Sequence, residues 1–235
     1  MEKINCPLYP FYKVKTDDVC NENRQENIAI LSRYANANIP NEYKDLYMSN
    51  SPVKEDQEDI YEILDSYVAT FTKDIRIKNV YLYSQETGTG KTTTAIALLS
   101  EYIRRRFLYY AKQKVRIPET IGVFLDLNEL QTKYNLASMS NSSEDMERIK
   151  NVIEFYQSVE MLVVDDVGVR SSTESFRSLI HSIINSRVSN GLPTIFTSNV
   201  EMESLTDIFD RRLYDRIRDQ TLELTFKGQS KRGMR

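Results

Sequence analysis

Apolar and polar positions follow each other along the chain in a pattern that predicts strands and helices in regular succession. Most of the predicted strands are short apolar runs, and the last one, at 221–226, alternates between polar and apolar residues. The predicted helices have apolar residues three and four positions apart. The predicted strands cover 80–83, 121–126, 161–166, 193–199 and 221–226. The predicted helices cover 25–35, 56–71, 92–112, 144–157, 173–190 and 203–218. Strands that alternate with helices indicate a parallel sheet in an α/β layer fold.

The first 50 residues differ in composition from the rest of the chain. They contain both cysteines, Cys6 and Cys20, and three of the six prolines. Two cysteines with no histidine nearby are too few for a zinc site, which takes four ligands, so two reduced thiols are the favoured interpretation. We interpret 36–55 as a linker, because Pro40 ends the preceding helical pattern. The prediction is an N-terminal module with its linker at 1–50 and a second domain at 51–235.

Composition limits the classes of protein to which the chain can belong. Its 235 residues are 40% hydrophobic and 28% charged, which is typical of a globular protein. No apolar run approaches the roughly 18 residues that a membrane span needs. The first residues carry no apolar signal core, so we expect a cytoplasmic protein with no membrane partner. The net charge of −3 does not by itself indicate nucleic-acid binding, although basic residues cluster locally, as at 104–106 and 211–218.

Residues 84–92 join a predicted strand to a predicted helix and carry Lys91 and Thr92 directly after glycine. This is the context of a phosphate-binding loop, whose backbone N–H groups and helix N-terminus hold a triphosphate. Lys91 would reach the β and γ phosphates of ATP, and Thr92 would help to coordinate Mg²⁺. Gln85 stands where the consensus has its first glycine, which costs about 1–2 kcal/mol if that position needs a positive φ. The alternative is an ordinary strand–turn–helix with no ligand. It is disfavoured because the chain has only 7 glycines and two of them lie in this loop.

Polar residues at the ends of two further predicted strands supply candidate catalytic groups. Asp165 would hold Mg²⁺, directly or through water, and Asp166 would orient or deprotonate the attacking water. The alternative is that two acids merely cap a strand, which is less probable in a chain that also has the Lys91 loop. Asn199 ends another strand and can place water or sense the γ phosphate, although a strand-terminal Asn alone is more often a turn residue.

Four arginines lie within the segment 210–218 of the helix predicted at 203–218. Arg212 and Arg216 are four residues apart and therefore share a helix face. An arginine offered to a neighbouring γ phosphate stabilises the charge that develops in the transition state. The alternative is a solvated face whose arginines pair with nearby acids. His181, the single histidine, is interpreted as a surface or packing residue with no role in the site.

Taken in order, these motifs resemble the AAA+ ATPases of the DnaC/DnaI bacterial helicase-loader group, and the transposition helper IstB shares much of the pattern. The double Asp followed by a hydrophobic residue and Gly is especially typical of the group, and the resemblance covers about 36–235. It implies an AAA+ P-loop domain with a central parallel five-stranded sheet flanked by helices, preceded by a small, mainly helical N-terminal module. The segments that carry the resemblance are 87–92 (TGTGKT), 162–168 (LVVDDVG), 196–199 (FTSN) and 212–217 (RLYDRI).

The resemblance also implies roles for individual residues. Arg216 would be an arginine finger acting in trans, Asn199 would be sensor 1 and Arg232 would be sensor 2. ATP or ADP would bind to Thr87, Gly88, Thr89, Gly90, Lys91, Thr92 and Thr93. Thr92 and Asp165 would hold Mg²⁺.

The implied function is that of a weak ATPase that loads the replicative DNA helicase. Its N-terminal module would bind the hexameric helicase, and its ATPase domains would associate with one another and bind single-stranded DNA. ATP binding and hydrolysis would act as a switch. Two alternatives stay open: an IstB-like transposition helper, and a non-catalytic helicase-binding adaptor whose ATP site is degraded, for which Gln85 is the supporting feature.

Overall fold

The computed structural model of this chain describes residues 7–8, 24–73, 75–140, 142–168 and 173–228. Within these residues the strands are β1 (Asn79–Tyr83), β2 (Gly122–Asp126), β3 (Met161–Asp165), β4 (Thr194–Ser198) and β5 (Thr221–Thr225). The α-helices are α1 (Arg24–Ala35), α2 (Glu58–Val68), α3 (Lys91–Gln113), α4 (Leu127–Ser140), α5 (Ser143–Ser158), α6 (Glu174–Asn190) and α7 (Arg211–Asp219). Short 3₁₀ turns lie at Asn41–Tyr43, Glu55–Gln57 and Met202–Asp207.

The five strands form one parallel sheet in the order β2-β3-β4-β1-β5. Because all the strands run in the same direction, their C-terminal ends lie at one edge of the sheet. The register pairs Asp126 with Asp165 across β2 and β3, and Tyr83 with Ser198 across β1 and β4. The expected fold, a central five-stranded parallel sheet flanked by helices, is confirmed.

Successive residues of a strand point to opposite faces of the sheet, and each face has its own core. On one face, Val163 and Ile195 pack in a cluster with residues of α2 and α3. On the other face, Val164 and Phe196 pack in a cluster with residues of α4, α5, α6 and α7. Both faces of the central strands are buried, which explains why their sequences are runs of apolar residues rather than alternating ones.

The interpretation of 36–55 as a linker is wrong, because this segment belongs to the core of the domain. Ala37, Met48 and Val53 are buried in the same cluster as α2 and α3. The backbone N–H of Phe124 in β2 donates to the carbonyl of Ala37 at 2.8 Å, and the amide of Asn38 donates to the carbonyl of Phe124 at 3.0 Å. The segment therefore covers the open edge of β2, which would otherwise expose unpaired backbone groups. The division of the chain at residue 50 stays a prediction, and Cys6 and Cys20 lie outside the described residues.

Two helical segments differ from the prediction in ways that have local causes. No element was predicted between 126 and 144, where the structure has α4, which begins there because Asp126 accepts hydrogen bonds from the N–H groups of Asn128 and Glu129. The single helix predicted over 203–218 is divided into the 3₁₀ turn Met202–Asp207 and α7. Asp210 sets the start of α7, because its side chain accepts a hydrogen bond from Leu213 N at 2.8 Å.

No helix in the described ranges is long and apolar enough to cross a membrane.

Candidate active site

The loop between β1 and α3 has the backbone of a phosphate cradle. Gly88 and Gly90 have φ values of +74° and +99°, in the region that favours glycine. Gln85, in contrast, does not lie in the left-handed region, so its departure from the consensus carries no backbone strain. Gly90 is also needed for space, because a Cβ at this position would lie 2.7 Å from a methyl carbon of Val53.

The N-terminus of α3 faces this loop without a side-chain cap. Its N-cap is Gly90, which makes no side-chain capping hydrogen bond. Uncapped N–H groups at the start of a 23-residue helix carry partial positive charge and bind phosphate groups well. In the same loop, the buried hydroxyl oxygen of Thr89 has no hydrogen-bond partner within the described residues. Both features fit a loop built around an anionic group.

Lys91 is buried at the first position of α3, and its ammonium group is held by the loop itself. Nζ donates to the carbonyl oxygens of Ser84 at 3.1 Å and Glu86 at 2.9 Å. An ammonium group at this position suits a phosphate group bound in the loop.

Thr92 and Asp165 meet at the C-terminal edge of the sheet. The Thr92 hydroxyl donates to Asp165 Oδ1 at 2.9 Å. Burial raises the pKa of Asp165 to about 6, although a hydrogen bond from Thr197 opposes this shift. A hydroxyl and a carboxylate in contact beside a phosphate loop are suitable oxygen ligands for Mg²⁺. A bound cation would also offset the cost of burying the charged form of Asp165.

Thr197 in β4 was not recognised as a site residue from the sequence. Its buried hydroxyl donates to Asp165 Oδ1 at 2.6 Å and accepts from the backbone N–H of Asp166 at 3.0 Å. One side chain thus fixes the positions of both consecutive acids. The sequence contains no signal for this contact, because it arises only when β4 is known to lie beside β3.

Asp166 and Asn199 follow directly after β3 and β4 at the same edge of the sheet. Asp166 is half-buried and has a φ of +60°, which is strained for a residue other than glycine and recurs at functional sites. The side-chain oxygen of Asn199 is buried, and it has no hydrogen-bond partner in the part of the chain that the structure describes. Buried polar atoms that lack a partner need an explanation, and a bound water or ligand supplies one here.

The structure brings most of the predicted site residues to this edge and places one elsewhere. Residues 87–93, Asp165, Asp166 and Asn199 lie at or next to the C-terminal ends of β1, β3 and β4. Arg216 lies on α7, where its guanidinium contacts α6. Arg232 lies outside the described residues. The individual roles of these residues stay predictions.

Known proteins with similar sequences include replicative helicase loaders. The chain is 25% identical over 138 residues to the replicative helicase loader DnaC of Escherichia coli (strain K12), a match that covers 59% of this chain and 49% of that protein. It is 23% identical over 151 residues to the replicative helicase loader DnaI of Bacillus subtilis (strain 168), covering 64% of this chain and 42% of that protein. The chain thus spans about half the length of these relatives. No protein-family model matches it.

Solved structures with a similar fold include helicase loaders and replication initiators. The crystal structure of DnaI superposes with a TM-score of 0.60 and 19% identity, covering 84% of this chain and 98% of that one. The replication initiator DnaA bound to AMPPCP and single-stranded DNA superposes with a TM-score of 0.55 and 18% identity, covering 81% of this chain and 51% of that one. At these identities the likeness concerns the fold alone, which is the AAA+ P-loop fold.

Proposed function

We propose that this chain, which is similar in sequence to the DnaC and DnaI helicase loaders, is an ATP-dependent loader of the replicative DNA helicase. The observation that supports it best is the contact between Thr92 and Asp165, which joins the phosphate loop to the acidic end of β3. In the proposal, ATP binding favours a state in which the chain holds the helicase and single-stranded DNA. ATP hydrolysis then releases the loader from them. A switch of this kind needs only slow turnover, because the nucleotide shifts a population between two states.

In the proposed switch, each of these side chains has a separate role in binding or hydrolysing ATP. Lys91 exchanges its two carbonyl partners for the β and γ phosphates, and the backbone N–H groups of α3 bind the phosphate oxygens. Thr92 and Asp165 would hold Mg²⁺, which would supply positive charge beside the phosphates. Asp166 orients the attacking water and accepts its proton, and Asn199 hydrogen-bonds that water or the γ phosphate.

The helicase contact is assigned to the N-terminal module, in which α1 is the one α-helix within the described residues. Ile28 and Leu31 are 59% and 50% exposed although they are large and apolar. They are three residues apart and therefore share one helix face. The opposite face of α1 packs on the domain through Ile30, which is fully buried. An apolar face presented by a helix that is anchored in the core suits a stable protein partner.

Capture of the purified replicative helicase by the full chain tests the proposal. The variant Ile28→Asp/Leu31→Asp should lose the helicase, because charges on this face oppose burial in an interface. Ile63→Asp on α2 is a matched control, because Ile63 is 46% exposed and lies outside the module. Deletion of 1–50 is a poor test, since it would remove core residues such as Met48.

The result distinguishes the proposed loader from its alternatives. Capture of the helicase by the wild type and the control, but not by the double variant, supports the loader. Failure of the wild type to capture the helicase, with ATP binding intact, would favour a transposition helper. Capture of the helicase without any binding of ATP would favour a non-catalytic adaptor.

A further inference from the structure

One face of α6 carries four polar residues at intervals of four, and all four contact the segment 207–216. This polar stripe consists of Arg177, His181, Asn185 and Ser189. Residues four apart lie above one another on a helix, so the stripe runs along α6 as a single row. The contacts are Arg177 Nη1 to the Asp207 carbonyl at 3.4 Å, His181 Nε2 to Asp210 Oδ2 at 2.9 Å, Asn185 Oδ1 to Arg216 Nη1 at 3.1 Å and Ser189 Oγ to Arg216 Nη2 at 3.2 Å.

The first half of the polar stripe fixes where α7 begins. Asp210 is the N-cap of α7, because its Oδ1 accepts from Leu213 N, while its Oδ2 contacts His181. The hydrogen bonds from Leu213 N and His181 lower the pKa of Asp210, so its carboxyl is ionised at neutral pH. The start of α7 is thereby tied to α6.

The second half of the polar stripe, Asn185 and Ser189, binds Arg216, whereas other arginines of α7 bind acidic side chains. Arg211 and Arg218 pair with the carboxylate of Asp215, each at 3.6 Å. Arg216 instead binds a neutral amide oxygen and a neutral hydroxyl, and within the described residues it has no ion pair. No acidic side chain in the described ranges therefore offsets the charge of Arg216.

The hydrogen bonds that Arg216 donates to Asn185 and Ser189 leave most of the guanidinium group available. A guanidinium carries five N–H donors in a rigid fork, and these contacts use two of them. The side chain is half-buried, so the remaining donors can reach a group outside this copy of the chain. A long, flexible side chain is in this way restricted in orientation without being neutralised.

We propose that Asn185 and Ser189 are positioning residues that orient Arg216, without pairing it with an acid, towards the ATP of a second copy of this chain. The proposal deepens the proposed function and rests on it, because it requires ATP at the site of the neighbouring copy. The proposal depends on the fact that both acceptors of Arg216, Asn185 Oδ1 and Ser189 Oγ, are uncharged. A carboxylate would hold the guanidinium more tightly, but it would reduce the charge available to the γ phosphate.

The variant Asn185→Asp separates the positioning role from a structural one. It keeps a hydrogen-bond acceptor for Arg216 and strengthens the contact, so the melting temperature should not fall. Because the new carboxylate competes with the γ phosphate, kcat for ATP hydrolysis should fall by about 10- to 100-fold, within the 10³–10⁵-fold that a trans-acting arginine contributes. The KM for ATP should stay unchanged, because the ATP-binding loop is untouched. Ser182→Ala, on the same helix with a local contact to Leu179 O, is the matched control.

Assembly supplies a readout that does not depend on hydrolysis. With a non-hydrolysable ATP analogue, sedimentation should show self-association of Asn185→Asp weakened by at least about tenfold, since a charge contact across the interface is reduced. Mixing it with Lys91→Ala should restore hydrolysis above the sum of the two separate activities. In that mixture, the Lys91→Ala copy supplies an intact Arg216 to the intact ATP site of its partner.

Each outcome decides the inference. Wild-type kcat in Asn185→Asp, or no gain on mixing, overturns the positioning role while leaving the proposed function intact. A melting temperature that falls together with kcat in Asn185→Asp overturns it in favour of a structural role. Absence of both ATP hydrolysis and ATP-dependent assembly in the wild type overturns the proposed function, and the inference with it.

Discussion

Replacing Thr197 with valine removes one hydroxyl and leaves the shape of the side chain almost unchanged. The hydroxyl is fully buried between β3 and β4. It donates to Asp165 Oδ1 at 2.6 Å and accepts from Asp166 N at 3.0 Å. The change therefore tests whether this single group holds the two acids in place.

The magnitude follows from the two lost hydrogen bonds. A hydrogen bond to a charged group contributes about 1.5–3 kcal/mol, and a buried donor left without a partner costs about 1–3 kcal/mol. The Asp166 N–H is only half-buried at a strained turn and can partly find water, so we expect a loss of about 3–4 kcal/mol. A domain of this size has about 5–15 kcal/mol of stability, so Thr197→Val should still fold.

Urea denaturation without nucleotide measures this loss, with Thr197→Ser as the matched control. Serine keeps the hydroxyl and removes one methyl group, which costs about 0.8 kcal/mol. We also expect the affinity for Mg²⁺–ATP to fall at least about tenfold in Thr197→Val, because Asp165 loses the group that orients it. Equal stability and equal ATP affinity for the valine and serine variants would refute the assignment of Thr197 to the site.

Three further substitutions test other parts of the same framework. Lys91→Ala should abolish ATP binding in a calorimetric titration while the melting temperature stays close to that of the wild type; normal ATP binding would contradict the loop assignment. Gly90→Ala should destabilise the chain by about 2–4 kcal/mol, because the new Cβ would lie 2.7 Å from Val53 and alanine is strained at a φ of +99°. In urea denaturation, adding Val53→Ala should recover only the part of this loss that comes from the steric clash. Arg187→Met should cost more than about 3 kcal/mol, since the fully buried guanidinium donates to five acceptors; a stable variant would show that these acceptors find other donors.

The parts of the site that depend on consecutive residues could be predicted from the sequence. The loop before α3 and the acids after β3 are each encoded within one short segment, so their patterns survive without any knowledge of the fold. The cost attached to Gln85 was conditional on a positive φ. The structure shows that only Gly88 and Gly90 need such a conformation in the loop, so the condition is not met.

The parts that depend on sheet order and helix packing could not be predicted in this way. Thr197 meets Asp165 only because β4 is the neighbour of β3, and no local pattern reports which strands are adjacent. His181 was given no role because its partner, Asp210, is 29 residues away and on another element. The buried positions of 37–53 were missed for a similar reason, since their apolar residues are scattered and pack on α2, α3 and β2 instead of following a helical or strand period.

The sheet order also explains how one ATP site can depend on two copies of the chain. β4 lies between β3 and β1, so Thr197 and Asn199 lie beside the acids at the end of β3 and on the same copy as the phosphate loop. Arg216 lies outside that arrangement, since α7 packs against α6 on one face of the sheet, and its guanidinium is turned to Asn185 and Ser189 instead of the loop. In the proposed function, a single copy can therefore bind ATP but lacks the cation that promotes hydrolysis. The rate of ATP hydrolysis then depends on whether copies of the chain have assembled. A loading switch requires this dependence.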